Sequence, residues 1–363
     1  MNSFALLSKN SHNTVTLKPF SYLKPSIKST AILNIIILAL QIILLVVTKS
    51  YSAVIVIACA LAGSLLADIV YGRIVKRSSV SWIIAVIQGL VIGFLLPENY
   101  FPAAVLIITF VSLMFSKYAF GDFASSWANP VAVTVALCYF LNMAVFPSYG
   151  LTAADLQLKN PALAMIEEGR FSTYFFDAPI TEFLNKTVFS IFDVSVPDGY
   201  VSLFWDSGSP IPAFRFNFLT ILSSILLISL DMIDIVIPLC YLIVYTLLVR
   251  FLSPVMVGGL PCQGDIILAL LTSGTLFSTL FVLQWYGTVP VTNVGKIFYG
   301  IISGIVGFFI IGCGTSPTGY VFMVLLMNII SPVIQVFESK HTRVSIERVL
   351  LPRLNEIKEG SHV

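Results

Sequence analysis

Charge is scarce in this sequence. Lys, Arg, Asp and Glu together make up 10% of the 363 residues, where a soluble domain carries roughly a quarter. Stretches such as Thr30–Val47 and Ile266–Gly295 hold no charge at all, and this excludes an ordinary soluble domain. The net charge of +2 is too small for a nucleic-acid footprint. Histidine is also rare: His12, His341 and His362 all fall in the chain's two tails, far from any buried acid or nucleophile. No hydrolase constellation or metal centre can be assembled from them. The five cysteines, Cys59, Cys138, Cys240, Cys262 and Cys313, show no C-x-x-C spacing. Zinc and iron–sulfur sites need clustered ligands, so these cysteines read as small apolar packing residues. A cleavable signal peptide is not expected either. The first 28 residues are polar, and Ser29–Val47 is too long for a signal h-region and lacks a small-residue cleavage pattern.

What is abundant is apolar sequence, 57% of the chain, arranged in runs that suit bilayer thickness as helices. The pattern predicts an all-α polytopic membrane protein of about ten transmembrane helices. The first five are expected near Ser29–Val47, Tyr51–Leu66, Val80–Leu96, Phe101–Phe115 and Pro130–Phe146. The second five are expected near Phe216–Leu230, Ile235–Val249, Ile266–Trp285, Ile297–Ile311 and Tyr320–Phe337. Several are short for a span, which predicts tilted or broken helices. The implied organisation is an N-terminal tail over 1–28, a membrane half over 29–146 and an external segment over 147–215. A second membrane half covers 216–337 and a C-terminal tail 338–363.

The positive-inside rule orients the chain. Lys9, Lys18, Lys24 and Lys28 in the first tail, and Arg73, Lys76 and Arg77 after the second helix, belong on the cytoplasmic side. Ten helices return Lys340, Arg343, Arg348, Arg353 and Lys358 to that side. The segment 147–215 then lies outside, with eight acids against four bases. The expected location is the bacterial inner membrane, with both termini cytoplasmic. Thr342–Lys358, with Val344, Val349, Leu350, Leu354 and Ile357 among charges, predicts an amphipathic helix that is interfacial or docks a partner.

Two blocks suggest duplication. Gln88-Gly89 running down to Pro97 resembles Ser273-Gly274 running down to Pro290, and Asn129-Pro130 recurs as Asn328 to Pro332. Five helices per copy would insert the second copy upside down, giving inverted repeats with a site near the midplane. Lys117–Gly121 and Lys296–Gly300 are also alike, but lie at the wrong topological place for such a repeat. Among polar residues, Asp231 and Asp234 stand at i and i+3 between helices six and seven. They read either as part of an ion pathway for a cation or proton, or as caps on a solvated turn. Asn129, Asn328, Gln41 and Gln88 are expected to hydrogen-bond neighbouring helices. Asp265 is expected to start helix eight, where an acid meets the helix dipole favourably.

Several blocks taken in order resemble the RnfD/NqrB family, membrane subunits of the Rnf electron-transport complex and of the sodium-pumping NADH:quinone oxidoreductase. They are Gly89–Pro97, Lys117–Gly121, Asn129-Pro130, Gly287–Thr292, Gly295–Gly300 and Val324–Pro332. The short N-terminal tail and His341–Val344 look more like RnfD than NqrB. The resemblance implies a subunit that passes electrons through FMN, with a noncovalent riboflavin as well, while the complex moves Na+ or H+. It also implies further subunits as partners. In the family FMN is joined by a phosphoester to a threonine outside the membrane, between helices five and six. Here that region reads Asp206-Ser207-Gly208-Ser209-Pro210-Ile211-Pro212. The threonine is missing and Ser209 is the nearest acceptor; the same residues also read as a plain turn. Other departures are Thr288-Val289-Pro290 where the family has Thr-Asp-Pro, Ala128-Asn-Pro-Val131 where it has Phe-Asn-Pro-Ala, and Asp122–Trp127 in place of a Gly-rich stretch. A solute transporter or channel of the same architecture, without redox chemistry, is the alternative.

Overall fold

The computed structural model describes residues 25–75, 81–120, 128–147, 173–192, 195–256, 262, 264–285, 287–311 and 319–360. Lys9, Lys18, Lys24, Lys76 and Arg77, the Asp122–Trp127 stretch, Cys313, His362 and residues 148–172 and 193–194 of the acidic segment between the halves lie outside the described residues.

The described residues form helices and no strands. The first group is α1 (Ile27–Val47), α2 (Tyr51–Val75), α3 (Ser81–Leu95), α4 (Pro102–Ser116) and α5 (Pro130–Leu141). Two helices of the connecting segment follow, α6 (Asp177–Thr187) and α7 (Tyr200–Trp205). The second group is α8 (Asn217–Ser229), α9 (Val236–Met256), α10 (Ile266–Thr272), α11 (Thr275–Ser278), α12 (Asn293–Ile310) and α13 (Gly319–Gly360). Each of the ten apolar segments read from the sequence contains helix. Among the described residues six helices are long and apolar enough to cross a bilayer, or seven if α10 and α11 with the following turn are one span bent by 64°. Trp82–Leu95, Pro130–Leu141 and Asn217–Ser229 are apolar but shorter. The chain is a multi-pass helical membrane protein.

Local chemistry sets the helix starts. Asn129 caps α5, its side-chain oxygen accepting from the Val131 and Ala132 N–H groups, with Pro130 at the first helical position. Asp265 caps α10 by accepting from Leu268 N–H at 3.0 Å, as the sequence predicts. Thr292 caps α12 by accepting from Gly295 N–H at 3.1 Å.

Burial is arranged as a membrane requires. On α9 the outward residues Leu239, Ile243, Leu247, Phe251 and Val255 are exposed and apolar, while Tyr241, Tyr245 and Ser253 are buried. A helix with its apolar stripe outside and its polar atoms inside is solvated by lipid rather than water. Close helix approach uses small residues: a Cβ on Gly93 of α3 would stand 2.6 Å from the Ile57 Cα of α2.

The packing order of the first half recurs in the second. Contacts of α1 with α3, α2 with α4 and α4 with α5 are repeated by α8 with α11, α9 with α12 and α12 with α13. The two sequence blocks behave differently within that order. Gln88 and Gly89 lie inside an unbroken α3, whereas Ser273 and Gly274 form the break between α10 and α11. Asn129 caps a helix start, whereas Asn328 sits within α13. A second difference from the sequence reading is α13 itself, which continues without interruption from the apolar segment through Phe337 to Gly360. No proline or glycine follows Phe337 to stop it until Pro352.

Candidate functional site

The segment Asp206–Arg215 is a closed loop between α7 and α8, fastened at its base by an ion pair. Arg215 donates to Asp206 twice, Nε to Oδ1 at 2.9 Å and Nη2 to Oδ2 at 2.6 Å. The side chains are 13% and 1% exposed respectively. The Asp206 carboxylate also accepts from the Tyr174 hydroxyl at 3.3 Å and from Gly208 N–H at 2.9 Å. Burial, and after it the Asp206 carboxylate, push the Tyr174 phenol above its ordinary value. The guanidinium reaches further, through Nη1, to the Ser50 hydroxyl just before α2.

Inside the loop, Gly208 takes the left-handed conformation at φ 65°. Ser207 donates from Oγ to the Phe214 carbonyl at 2.7 Å. Ser209 Oγ accepts from the Ile211 N–H at 3.2 Å. The Pro210 carbonyl accepts from Glu98 N–H at 2.9 Å, tying the loop to the end of α3. The Phe214 ring lies on the helix break, so close that a Cβ on Gly274 would overlap it.

The structure thus brings Ser207, Gly208 and Ser209 together in one turn. Ser209 has the right chemistry for a phosphoester, a hydroxyl between the fifth and sixth apolar segments. It is, however, only 9% exposed.

Nearby, Tyr200 of α7 donates to the Asp265 carboxylate at the start of α10. Burial followed by that carboxylate raises the Tyr200 phenol. Asp177 is 3% exposed and takes Gly199 N–H at 2.7 Å, Ser202 N–H at 2.6 Å and the Ser202 hydroxyl at 2.5 Å. These carboxylates bind α6, α7 and α10 to one another.

Asp231 and Asp234 lie at the turn between α8 and α9, and their geometry differs. Asp231 is exposed at a left-handed position, φ 53°. Asp234 accepts from Val236 N–H at 3.1 Å at the start of α9 and forms an ion pair with Lys296 of α12. Its backbone is clasped by Gln284, which accepts from Asp234 N–H at 3.2 Å and donates to the Asp234 carbonyl at 2.9 Å. Asp234 therefore joins three elements.

The polar residues expected to bridge helices do so in three of four cases. Gln41 Nε2 donates to Thr220 at 3.4 Å, and Asn129 Nδ2 to the Val282 carbonyl at 2.9 Å. The latter links the start of α5 to a π-helical turn, Thr279–Leu283, in the second half. Gln88 Oε1 accepts from Lys117 Nζ at 2.9 Å. The amide of Asn328 is buried and has no hydrogen-bond partner among the described residues.

Sequence reasoning missed the Lys117 cluster. Lys117 is 0% exposed and donates also to the Tyr118 hydroxyl at 3.1 Å, which donates to Asp68 at 2.8 Å. The Tyr71 ring lies against that of Tyr118, with centroids 4.6 Å apart. The available signal was a lysine closing a 15-residue apolar helix, with a glutamine on the preceding one.

The sequence model of the NQR2, RnfD, RnfE family matches residues 14–343. No curated protein matches the sequence.

Proposed function

The chain belongs to the NQR2, RnfD, RnfE family, and on that premise we propose that it is an RnfD-like membrane subunit of an ion-translocating electron-transport complex. In this reading it sits in the bacterial inner membrane with both termini cytoplasmic, beside the other subunits of the complex. It passes electrons through FMN while the complex moves Na+ or H+. The observation that carries the reading is the family match over most of the chain, joined to a multi-pass helical fold. Flavin, when bound, supplies the redox chemistry, and the protein sets its position and surroundings.

For this chain's own residues the proposal is specific. Ser209 is the acceptor hydroxyl, and Ser207 and Gly208 shape the turn that presents it. The Asp206–Arg215 pair, with its reach to Ser50, holds the turn against the first half. Asp231 and Asp234 are proposed on the ion path, Asp234 through exchange of its Lys296 partner.

Two observations favour a second reading, a subunit or a transporter or channel of similar architecture that works without covalent flavin. Ser209 is buried, and Thr288-Val289-Pro290 lacks the family's carboxylate. Expression with a periplasmic flavin transferase, followed by ultraviolet illumination of a denaturing gel and peptide mass spectrometry, separates the two. A fluorescent band mapping to Asp206–Pro212 supports covalent FMN at Ser209. A dark band, with the transferase active on a control protein, removes it. Genes for the other subunits beside this one would favour a complex over a lone transporter.

A further inference from the structure

The helix α6 turns its polar side inward. Asp177, Thr181 and Asn185 recur at every fourth position and so share one face. Asp177 holds the start of α7 through Gly199 and Ser202. Asn185 exchanges two hydrogen bonds with the Val196 backbone, at 2.8 and 2.9 Å. Anchored near both ends, the helix is kept from rolling its other sides inward. Ile180 and Phe183 stand on the adjoining face and are exposed, Phe183 by 63%. Val188 and Ile191, just past the helix end, are exposed as well. On the third face Glu182 and Lys186 pair at 2.5 Å, with both side chains open to solvent.

A row of rings joins this helix to the membrane segments. Phe175, 92% exposed, lies edge-on to Phe176, with centroids 5.5 Å apart. Phe176 lies edge-on to Trp205 at 6.2 Å, and Trp205 stacks on Phe218 of α8 at 5.9 Å. Phe218 begins the outward face of α8, which continues through Leu222 and Ile225. All three are exposed, while Asn217, Thr220 and Ser223 are buried. That is the pattern of a lipid-facing helix, as on α9.

We propose that α6 lies in the bilayer interface, at the end of the membrane where α8 begins. Phe175, Ile180 and Phe183 enter the boundary between headgroups and acyl chains, and the Glu182–Lys186 pair stays in water. Continuity selects lipid as the occupant, because the medium that solvates Phe218 and Leu222 runs on to Trp205 and Phe175. Trp205 stands between the two, and tryptophan favours this level of the membrane. Water would leave a contiguous apolar patch uncovered. The three faces of α6 match protein, lipid and water, as an interfacial helix requires. Because Trp205 directly precedes Asp206, the same rings hold the base of the Asp206–Arg215 loop at headgroup level. The inference rests on the membrane fold alone and needs neither flavin nor ion transport.

The test places the photoreactive residue benzoylphenylalanine in the full chain, in cell membranes, singly at Phe183, Leu222 or Lys186. After illumination, adducts are identified by mass spectrometry. Position 183 is expected to form phospholipid adducts at a yield close to that of position 222 and several-fold above that of position 186. A cross-link from position 183 to a discrete protein would show a subunit surface and overturn the proposal. A lipid yield at position 183 no higher than at position 186 would show a face in water, and overturns it too. Should the replaced chains fail to insert, wild type and Trp205→Phe are compared in nanodiscs of lipid brominated near the headgroup. Lipid-dependent quenching of tryptophan fluorescence that drops in Trp205→Phe supports the interfacial placement, and unchanged quenching overturns it.

Discussion

Arg215 grips Asp206 with two parallel hydrogen bonds while both are largely withdrawn from water. Eight residues lie between them in sequence, so the pair closes the intervening turn into a ring. Because Arg215 also donates to Ser50, and Pro210 accepts from Glu98, the ring is moored to two helices of the first half. A loop fixed this way holds its residues at a constant position.

Breaking that pair from one side leaves a buried charge without its partner, at a cost of about 3–5 kcal/mol. Arg215→Ala is therefore expected to lower Tm sharply, leaving Asp206 held only by Tyr174 and Gly208. Arg215→Lys should recover only part of the loss, because an ammonium cannot make the paired contacts of the guanidinium. Thermal unfolding of the two variants in one detergent checks this. Equal Tm values for lysine and wild type would show that charge alone, and not the fork, holds the loop.

Gly274 has φ 69° and its α-carbon lies under the Phe214 ring. Gly274→Ala adds a methyl where the backbone already disfavours one, at about 1–2 kcal/mol for the left-handed conformation, and it collides with the ring as well. The paired variant Gly274→Ala with Phe214→Leu removes the collision and keeps the backbone strain. Its Tm should fall between that of Gly274→Ala and wild type. If the pair is no better than the single variant, the ring is not the obstacle.

The apolar spans were legible in the sequence because hydrophobic length is a local property. The same holds for the cap at Asp265, whose partner lies three residues ahead. What escaped the sequence depends on residues far apart along the chain. Arg215 counted there only as one base in an acidic segment, and nothing local tied it to Asp206 or Ser50. The turn at Asp206–Pro212 was readable, but the burial of Ser209 was not. It comes with a loop anchored at Glu98 and pressed on Gly274. Lys117 meets Gln88 across 29 positions, and Tyr118 meets Asp68 across 50. The break at Gly274 and the unbroken run of α13 past Phe337 also went unread, since glycine and charge permit either outcome.

The Lys117 cluster offers a comparison of two ways to damage it. Gln88→Leu keeps the ammonium buried and removes an acceptor that faces it at 2.9 Å. Lys117→Met removes the charge and keeps most of the side-chain volume. A buried charge short of an acceptor costs more than an apolar replacement of similar shape. Gln88→Leu should thus be the more destabilising, by about 1–2 kcal/mol. The reverse order in thermal unfolding would mean that Lys117 contributes net attraction through its other contacts.

Asp234 separates an ion path from a clasp. As placed, its carboxylate caps α9 and pairs with Lys296, joining the starts of two helices, while its backbone is held by Gln284 after the π-helical turn. Asp231, exposed at the same turn, has a different setting. If Asp234 serves only as a clasp, Asp234→Asn lowers stability by roughly 1–2 kcal/mol. Lys296→Met, which also removes the ion pair, then gives a similar loss, and ion uptake per folded molecule in proteoliposomes of the whole complex stays unchanged. If Asp234 lies on the path, Asp234→Asn abolishes uptake while the folded population survives, and Lys296→Met alters the rate instead of stopping it. Asp231→Asn is measured beside them, because its exposed carboxylate is proposed on the path as well. Loss of uptake in Asp231→Asn with uptake retained in Asp234→Asn would place the path at the exposed residue and leave Asp234 as a structural fastener.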